Sequence, residues 1–332
     1  MNVFDNFDRQ MRLISKFNGV CLNIEEKSKL EIALRELQNA TSHELLQFWG
    51  KITGEEADYF VALGINFTNH FEFPQKVFYY ATSTTFTFEP LPPTLPYHDA
   101  EMNKSYYDPL KGNPNLLIKQ LKQEVPEGAA EPAEKTPEEA AKEEAQRRAL
   151  QKEIQLLKAQ GYDDEDIENS DDLLTINIDK PKQEEPKDNF TEKMKLSYLV
   201  RQIDHDTSII PQGALMLNNK HEIHISKSFK GLRKDEIGDL GKWMHFRPVT
   251  DATIKAKLRS DDAVFLKDIF DSITNDEIKG SWSLVTDTTQ TTCNIRSLLW
   301  PGYYAVHVSG TNTYCGVYFG NAMKNLDLPF MI

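Results

Sequence analysis

Hydrophobic positions in this chain change their spacing several times, and each change marks an expected element. In NIEEKSKLEIALRELQN, residues 23–39, Leu30, Ala33, Leu34 and Leu37 recur at helical spacing. Asn23 and Glu26 form a capping box at its start. The apolar stripe of such a helix needs a partner, in its own domain or in another subunit. From residue 44 the period shortens to two. In LLQFWGKITGEEADYFVALGI, Phe48, Gly50 and Ile52 alternate with Trp49 and Lys51. Tyr59, Val61 and Leu63 alternate with Asp58 and Phe60, which predicts two strands joined around Gly54. KVFYYATSTTFTF, residues 76–88, continues the strand-forming character until EPLPPTLP stops it with four prolines.

Beyond residue 191 the pattern is mixed. MKLSYLVRQIDHDTSIIPQGALMLN and EIHISKSF read as strands, or as a short helix with strands. DEIGDLGKWMHF places Ile237, Leu240 and Trp243 or Met244 on one helical face. A meander then closes the sequence, with GSWSLV, TTCNIRSLLW, YYAVHVS and TYCGVYFG as four strand-like runs separated by polar or Pro-Gly steps. Between the second and third runs, Trp300-Pro301-Gly302-Tyr303 reads as a tight turn. Proline presets φ at its second position and glycine accepts the positive φ of its third. The alternation after the turn puts Tyr304, Val306 and Val308 on one face and Tyr303, Ala305 and His307 on the other. Both faces are apolar or aromatic, so the sheet is expected to be covered on both sides, by its own helices or by another protein.

One stretch departs from all of this. Residues 124–190 hold 20 acidic and 9 basic side chains, and therefore −11 of the chain's formal charge of −13. Nearly free of aromatics, this stretch reads as an insertion. Inside it, residues 136–160 predict one helix, with Thr136 as cap, Pro137 at its first position and Gly161 at its end. The adjoining GYDDEDIENSDD lacks the glycine and spaced glutamate of a calcium loop. The expected organisation is a helical segment over 1–43, a first β-rich half of the core over 44–123, the acidic insertion over 124–190, and a second half over 191–332. The fold class is α+β, with N-terminal helices and a large, mostly antiparallel, aromatic-rich sheet ending in a meander.

With 332 residues, 39% of them hydrophobic, the chain can bury a substantial core. No apolar run approaches the ~18 residues that span a bilayer, and MNVFDNFDRQMRL has no secretory h-region, so cytosolic synthesis is expected. Outside the insertion the charge is nearly balanced. Nucleic acid and anionic membranes are therefore not expected partners, since both call for a basic surface. Cys21, Cys293 and Cys315 make no paired motif and read as structural thiols.

Catalytic signals are weak. No phosphate loop, nucleophile elbow or zinc-protease motif occurs. His221 and His224 would point to opposite faces of a strand and lack a third ligand. Asp204-His205-Asp206 reads as a solvated turn, and nothing in the sequence joins it to Ser281 or Cys293 as a nucleophile. No catalytic, cofactor or metal residues are expected.

FWGKITGEEADYFVALG, IDHDTSIIPQGALMLN, KGSWSL, RSLLWPGYYAVH and NLDLPFMI, in this order, resemble the radial spoke head protein 9 family of motile cilia, best over residues 44–65 and 191–332. The pairing of Trp-Gly-Lys-Ile with Leu-Trp-Pro-Gly is its most specific part. Gln212 departs from it, standing where the family commonly has a basic residue. The resemblance implies a non-enzymatic subunit of the radial spoke head in the ciliary axoneme, part of the cytoskeleton, that supports head assembly and the mechanical regulation of dynein. A soluble adaptor or assembly chaperone is the alternative. Implied partners are other spoke-head proteins, above all the larger paralogues, and central-pair projections. The residues expected to build structure or a partner interface are Trp49, Gly50, Trp282, Trp300, Pro301, Gly302, Tyr303, Tyr304, Tyr314 and Tyr318, with Trp49 and Trp300 in or beside the same sheet core.

Overall fold

The computed structural model describes residues 3–94, 102, 108–119, 190–260 and 266–331. The chain divides into two compact units, Met1–Ile118 with Phe190–Ile332, and Lys119–Asn189. The helix expected over 136–160 and the stretch GYDDEDIENSDD lie outside the described residues.

Two helices open the first unit, α1 (Val3–Asn18) and α2 (Ile24–Ala40). On α1, Phe7, Met11 and Ile14 fall on one face and are buried. On α2 the capping box forms as expected. The Asn23 side chain accepts from the Glu26 backbone N–H at 2.7 Å, and the Glu26 carboxylate accepts from the Asn23 N–H at 3.1 Å. Leu30, Ala33, Leu34 and Leu37 are the buried stripe of α2.

Fourteen strands are formed among the described residues: β1 (Leu45–Ile52), β2 (Tyr59–Asn66), β3 (Gln75–Thr82), β4 (Glu89–Pro90), β5 (Leu117–Lys119), β6 (Phe190–Thr191), β7 (Ile209–Pro211), β8 (Leu215–Leu217), β9 (Ile223–Ile225), β10 (Trp243–His245), β11 (Trp282–Thr286), β12 (Thr292–Ser297), β13 (Tyr303–Val308) and β14 (Tyr314–Gly320). Eight of them make one sheet in the order β11-β12-β13-β14-β1-β2-β3-β4. Every pairing in it is antiparallel except β1 with β14, which run parallel and join the first strands of the chain to the last. The remaining strands form the ladders β5-β6, β7-β10 and β8-β9.

The sheet is covered on both faces by the chain's own residues. One face packs Phe48, Phe60, Val306 and Val317 against α1 and α2. The other packs Trp49, Tyr59, Val61, Trp300, Tyr303 and Tyr318 against α3 (Glu192–Thr207) and the short ladders. The face assignment expected for β13 holds, since Tyr303 and Ala305 join one core and Val306 the other.

Three local expectations are corrected. The simple alternation of β1 fails because the register slips between Phe48 and Gly50. Trp49 is an extra residue there, a β-bulge, and it reverses the inward and outward sense of the rest of the strand. Phe48 therefore lies in the helix-side core and Ile52 in the opposite one. Residues 235–246 form turns, a short 3₁₀ segment (Leu240–Lys242) and β10 rather than a helix. Gly238 and Gly241 weaken a helix here, and pairing of β10 with β7 supplies its backbone hydrogen bonds instead. Cys21 is exposed, so of the three thiols only Cys293 and Cys315 pack as apolar groups. Burial pushes both of these up to about 12.

The stretch after residue 191 resolves as a helix of full length. On α3, Leu196, Leu199, Val200 and Ile203 make its buried face. Its first turn is anchored from below. The buried Glu192 carboxylate accepts from the Tyr59 hydroxyl and from the Gly112 backbone N–H, each at 2.7 Å. The Glu192 N–H also donates to the Leu116 carbonyl at 2.9 Å. Residues 116 and 192 are thus direct neighbours, one on each side of the segment 119–189.

Candidate functional site

The two tryptophan motifs, distant in sequence, meet at the last turn of α3. Trp49 donates its indole N–H to Asp204 at 3.2 Å, and Trp300 donates its own to Asp206 at 2.9 Å. A helix C-terminus carries partial negative charge, which disfavours carboxylates. Each aspartate is therefore matched by a cation from another element. Lys76 of β3 reaches Asp204 at 2.6 Å, and Lys324 reaches Asp206 at 3.1 Å. Lys76 also donates to the Phe246 carbonyl at 2.7 Å. The expectation of a solvated turn at Asp204-His205-Asp206 is overturned, because Asp204 is buried and Asp206 largely so. Burial alone would raise the Asp206 carboxyl. Hydrogen bonds from His205 and Trp300 with the Lys324 charge outweigh it and hold the group below the usual carboxylate range. Desolvation pulls the Lys76 ammonium down, and the Asp204 carboxylate opposes it.

Every member of Trp-Gly-Lys-Ile has a task. The Trp49 ring packs on Tyr318 at 5.6 Å between centroids and edge-on against Phe78 at 6.4 Å. Gly50 lies opposite Tyr318 at the parallel join, where a Cβ would stand 2.3 Å from the Tyr318 carbonyl oxygen. Lys51 pairs with Glu26 and Asp58, each at 2.8 Å, fastening the N-terminus of α2 to β1. Ile52 is buried.

The second motif is a corner, as expected. The Tyr303 N–H donates to the Trp300 carbonyl at 3.2 Å, closing the turn around an exposed Pro301 and a Gly302 at φ +108°. A side chain on Gly302 would meet the Phe319 carbonyl oxygen at 2.3 Å. The Trp300 N–H donates to the Ser297 hydroxyl at 3.1 Å, and the ring is fully buried.

Trp282 extends the arrangement. Its indole donates to Asp276 at 2.8 Å, and the same carboxylate pairs with the buried His245 at 2.7 Å. The Trp282 ring meets Tyr303 edge-on at 6.2 Å. Three of the four tryptophans thus end on an aspartate, while the Trp243 N–H has no partner among the described residues. Tyr303 and Tyr318 are inside the core rather than on a surface. The Tyr303 hydroxyl accepts from the Ile209 N–H at 3.3 Å, and the Tyr318 hydroxyl from the Ala322 N–H at 2.9 Å. Tyr304 and Tyr314 are half-buried, the first beneath Arg296 and the second against Phe229.

The other candidates stay apart. His221 sits in a turn with Nδ1 at 3.0 Å from the Leu258 carbonyl, and His224 lies on β9. Ser281 and Cys293 are buried in separate places, on the approach to β11 and on β12. His307 is buried and its pKa lowered by desolvation. It accepts from the Leu232 N–H at 3.0 Å and lies 2.9 Å from the Thr313 carbonyl. Gln212, where a basic residue was expected, donates its side-chain amide to Asp268 and its backbone N–H to the Lys242 carbonyl. Sequence reasoning missed Asp204, Asp206, Asp276, Lys76 and Lys324. One signal was present: Asp204 lies four residues beyond Val200, so it falls on the apolar face of α3, where a carboxylate must find partners. The arrangement positions and holds.

The chain is similar to known proteins. Residues 2–187 match the family model described as radial spokehead-like protein. The chain is 26% identical over 315 residues, covering 95% of both chains, to the radial spoke head protein 9 homolog of Danio rerio. It is 37% identical to the Homo sapiens homolog and 36% to that of Mus musculus, over 141 residues in each case, or 42% of this chain and 51% of theirs. The family match thus falls on the first half of the sequence, whereas the resemblance read from motifs lies mostly in the second.

Proposed function

Because this chain belongs to the radial spokehead-like protein family, we propose that it is a non-enzymatic structural subunit of the axonemal radial spoke head, supporting head assembly and the mechanical control of dynein-driven beating. One observation carries the reading. The β1 bulge and the β12–β13 corner, far apart in sequence, are tethered through Trp49 and Trp300 to a single helix end. A sheet joined in parallel at its centre, braced in this way and packed into a core on each face, deforms little under load, because those cores must be disrupted before its strands separate. That behaviour suits a part which relays contact and force.

Partners in this reading are other spoke-head proteins, including the larger relatives with kindred motifs, and central-pair projections. Of the residues singled out in the sequence, the tryptophans act by bracing. Tyr304 and Tyr314 retain exposed area and are proposed to reach a neighbour. The test is fractionation of demembranated axonemes. A structural subunit sediments with them and survives a high-salt wash. Recovery in the soluble fraction instead would favour an adaptor or assembly chaperone.

A further inference from the structure

A cavity of about 490 Å³ opens between the β2–β3 connection, residues 248–249 and the short helix α4 (Ala252–Leu258). None of the tether residues lines it, although Lys76 of the Asp204 pair lies over the Phe73 ring that forms part of its wall. Phe71, Phe73, Leu217, Val249 and Leu258 give it apolar walls, and its size falls in the range of natural binding pockets. Phe71, at its mouth, is 70% exposed, an unusual state for a phenylalanine.

The backbone around the cavity is held in an uncommon shape. Glu72 and His221, both lining residues, adopt left-handed φ values of +64° and +58°. Non-glycine residues seldom do so without support from their surroundings. Here the Glu72 N–H donates to the His221 carbonyl at 3.3 Å, and His221 is fixed to Leu258 of α4. The charged rim is asymmetric. Lys255 and Arg259, four positions apart at the end of α4, stand together at the opening. Glu72 is the one carboxylate among the described lining residues, and it is shared between Arg259 at 2.6 Å and Lys255 at 3.9 Å. Exposed pairs of this kind exchange readily for a better-placed anion.

We propose that this cavity receives a segment of a partner protein that presents an aliphatic or aromatic side chain flanked by carboxylates. The apolar anchor fills the cavity beside Phe71, and the acidic neighbours lie over Lys255 and Arg259. The assignment does not depend on where the protein resides in the cell.

The experiment is fluorescence anisotropy with the full chain and a labelled, amidated octapeptide, GEELFEEG, against the controls GKKLFKKG and GEESSEEG. Saturable binding by the first peptide is expected, weaker by about tenfold or more for either control. The variants Phe71→Ser and Lys255→Glu with Arg259→Glu change only exposed side chains, so both should melt like the parent. Each should lose about tenfold in affinity or more. Equal binding of the three peptides, no binding, or full affinity in both variants overturns the proposal. So does direct binding of decanoate, read by calorimetry, at concentrations where none of the peptides binds, which would assign the cavity to a free fatty acid. Self-association in sedimentation that Phe71→Ser abolishes would overturn it too, in favour of a second copy of this chain.

Discussion

Replacing Trp300 by phenylalanine isolates the tether to Asp206. The substitution keeps an aromatic ring in a fully buried site but removes the indole N–H that reaches Asp206 at 2.9 Å. A hydrogen bond to a charged group contributes about 1.5–3 kcal/mol, and the smaller ring adds roughly 1 kcal/mol for incomplete filling. A total near 3 kcal/mol corresponds to a fall in melting temperature of roughly 4–6 °C for a chain of this size. Calorimetry at pH 7 reads it directly. The pH dependence supplies an independent check. The Asp206 pKa is depressed in the folded state, so its stabilisation is present above the unfolded carboxylate value of about 3.9 and is lost as pH falls towards the folded value. Without the indole donor the folded pKa rises, and the gap between parent and variant should narrow below about pH 4. A variant that melts within about 1 °C of the parent at pH 7, or a gap that stays constant into acid, refutes the tether.

Three further outcomes are expected. Gly50→Ala places a methyl carbon where the Tyr318 carbonyl stands 2.3 Å away, so the parallel β1–β14 join should loosen by about 1–3 kcal/mol, read as faster amide exchange in those two strands. His307 is held neutral, its pKa lowered by burial, so stability present above the unfolded value of about 6.5 should fall as pH drops below it; urea midpoints at pH 7.5 and 5.5 should differ less in His307→Gln than in the parent. Deleting residues 128–187 and joining the ends with a short linker should leave a cooperative unfolding transition, because Leu116 and Glu192 are already hydrogen-bonded at 2.9 Å.

Much of the sheet was legible because its signals are local. The β12–β13 corner is specified by Pro301 and Gly302, and the α2 start by Asn23 and Glu26, each within four residues of the structure it sets. The faces of β13 are given by period two alone. Features that escaped were set by contacts distant in sequence. The bulge at Trp49 is decided by where Gly50 must lie against Tyr318, and no local pattern carries that. The helical spacing of Ile237, Leu240 and Trp243 was overridden by pairing of β10 with β7. Asp204 and Asp206 looked like surface charge because the indoles and lysines that bury them lie 94 to 155 residues away.

Membership of the spoke head can be read from a side-chain-resolution cryo-electron map of intact axonemes. The expected map contains a radial spoke head in which the eight-stranded sheet fits at full occupancy, with indole density from the β1 bulge and the β12–β13 corner meeting the end of α3. A spoke head whose density is fully explained by other chains, leaving no place for this sheet, would contradict the structural role.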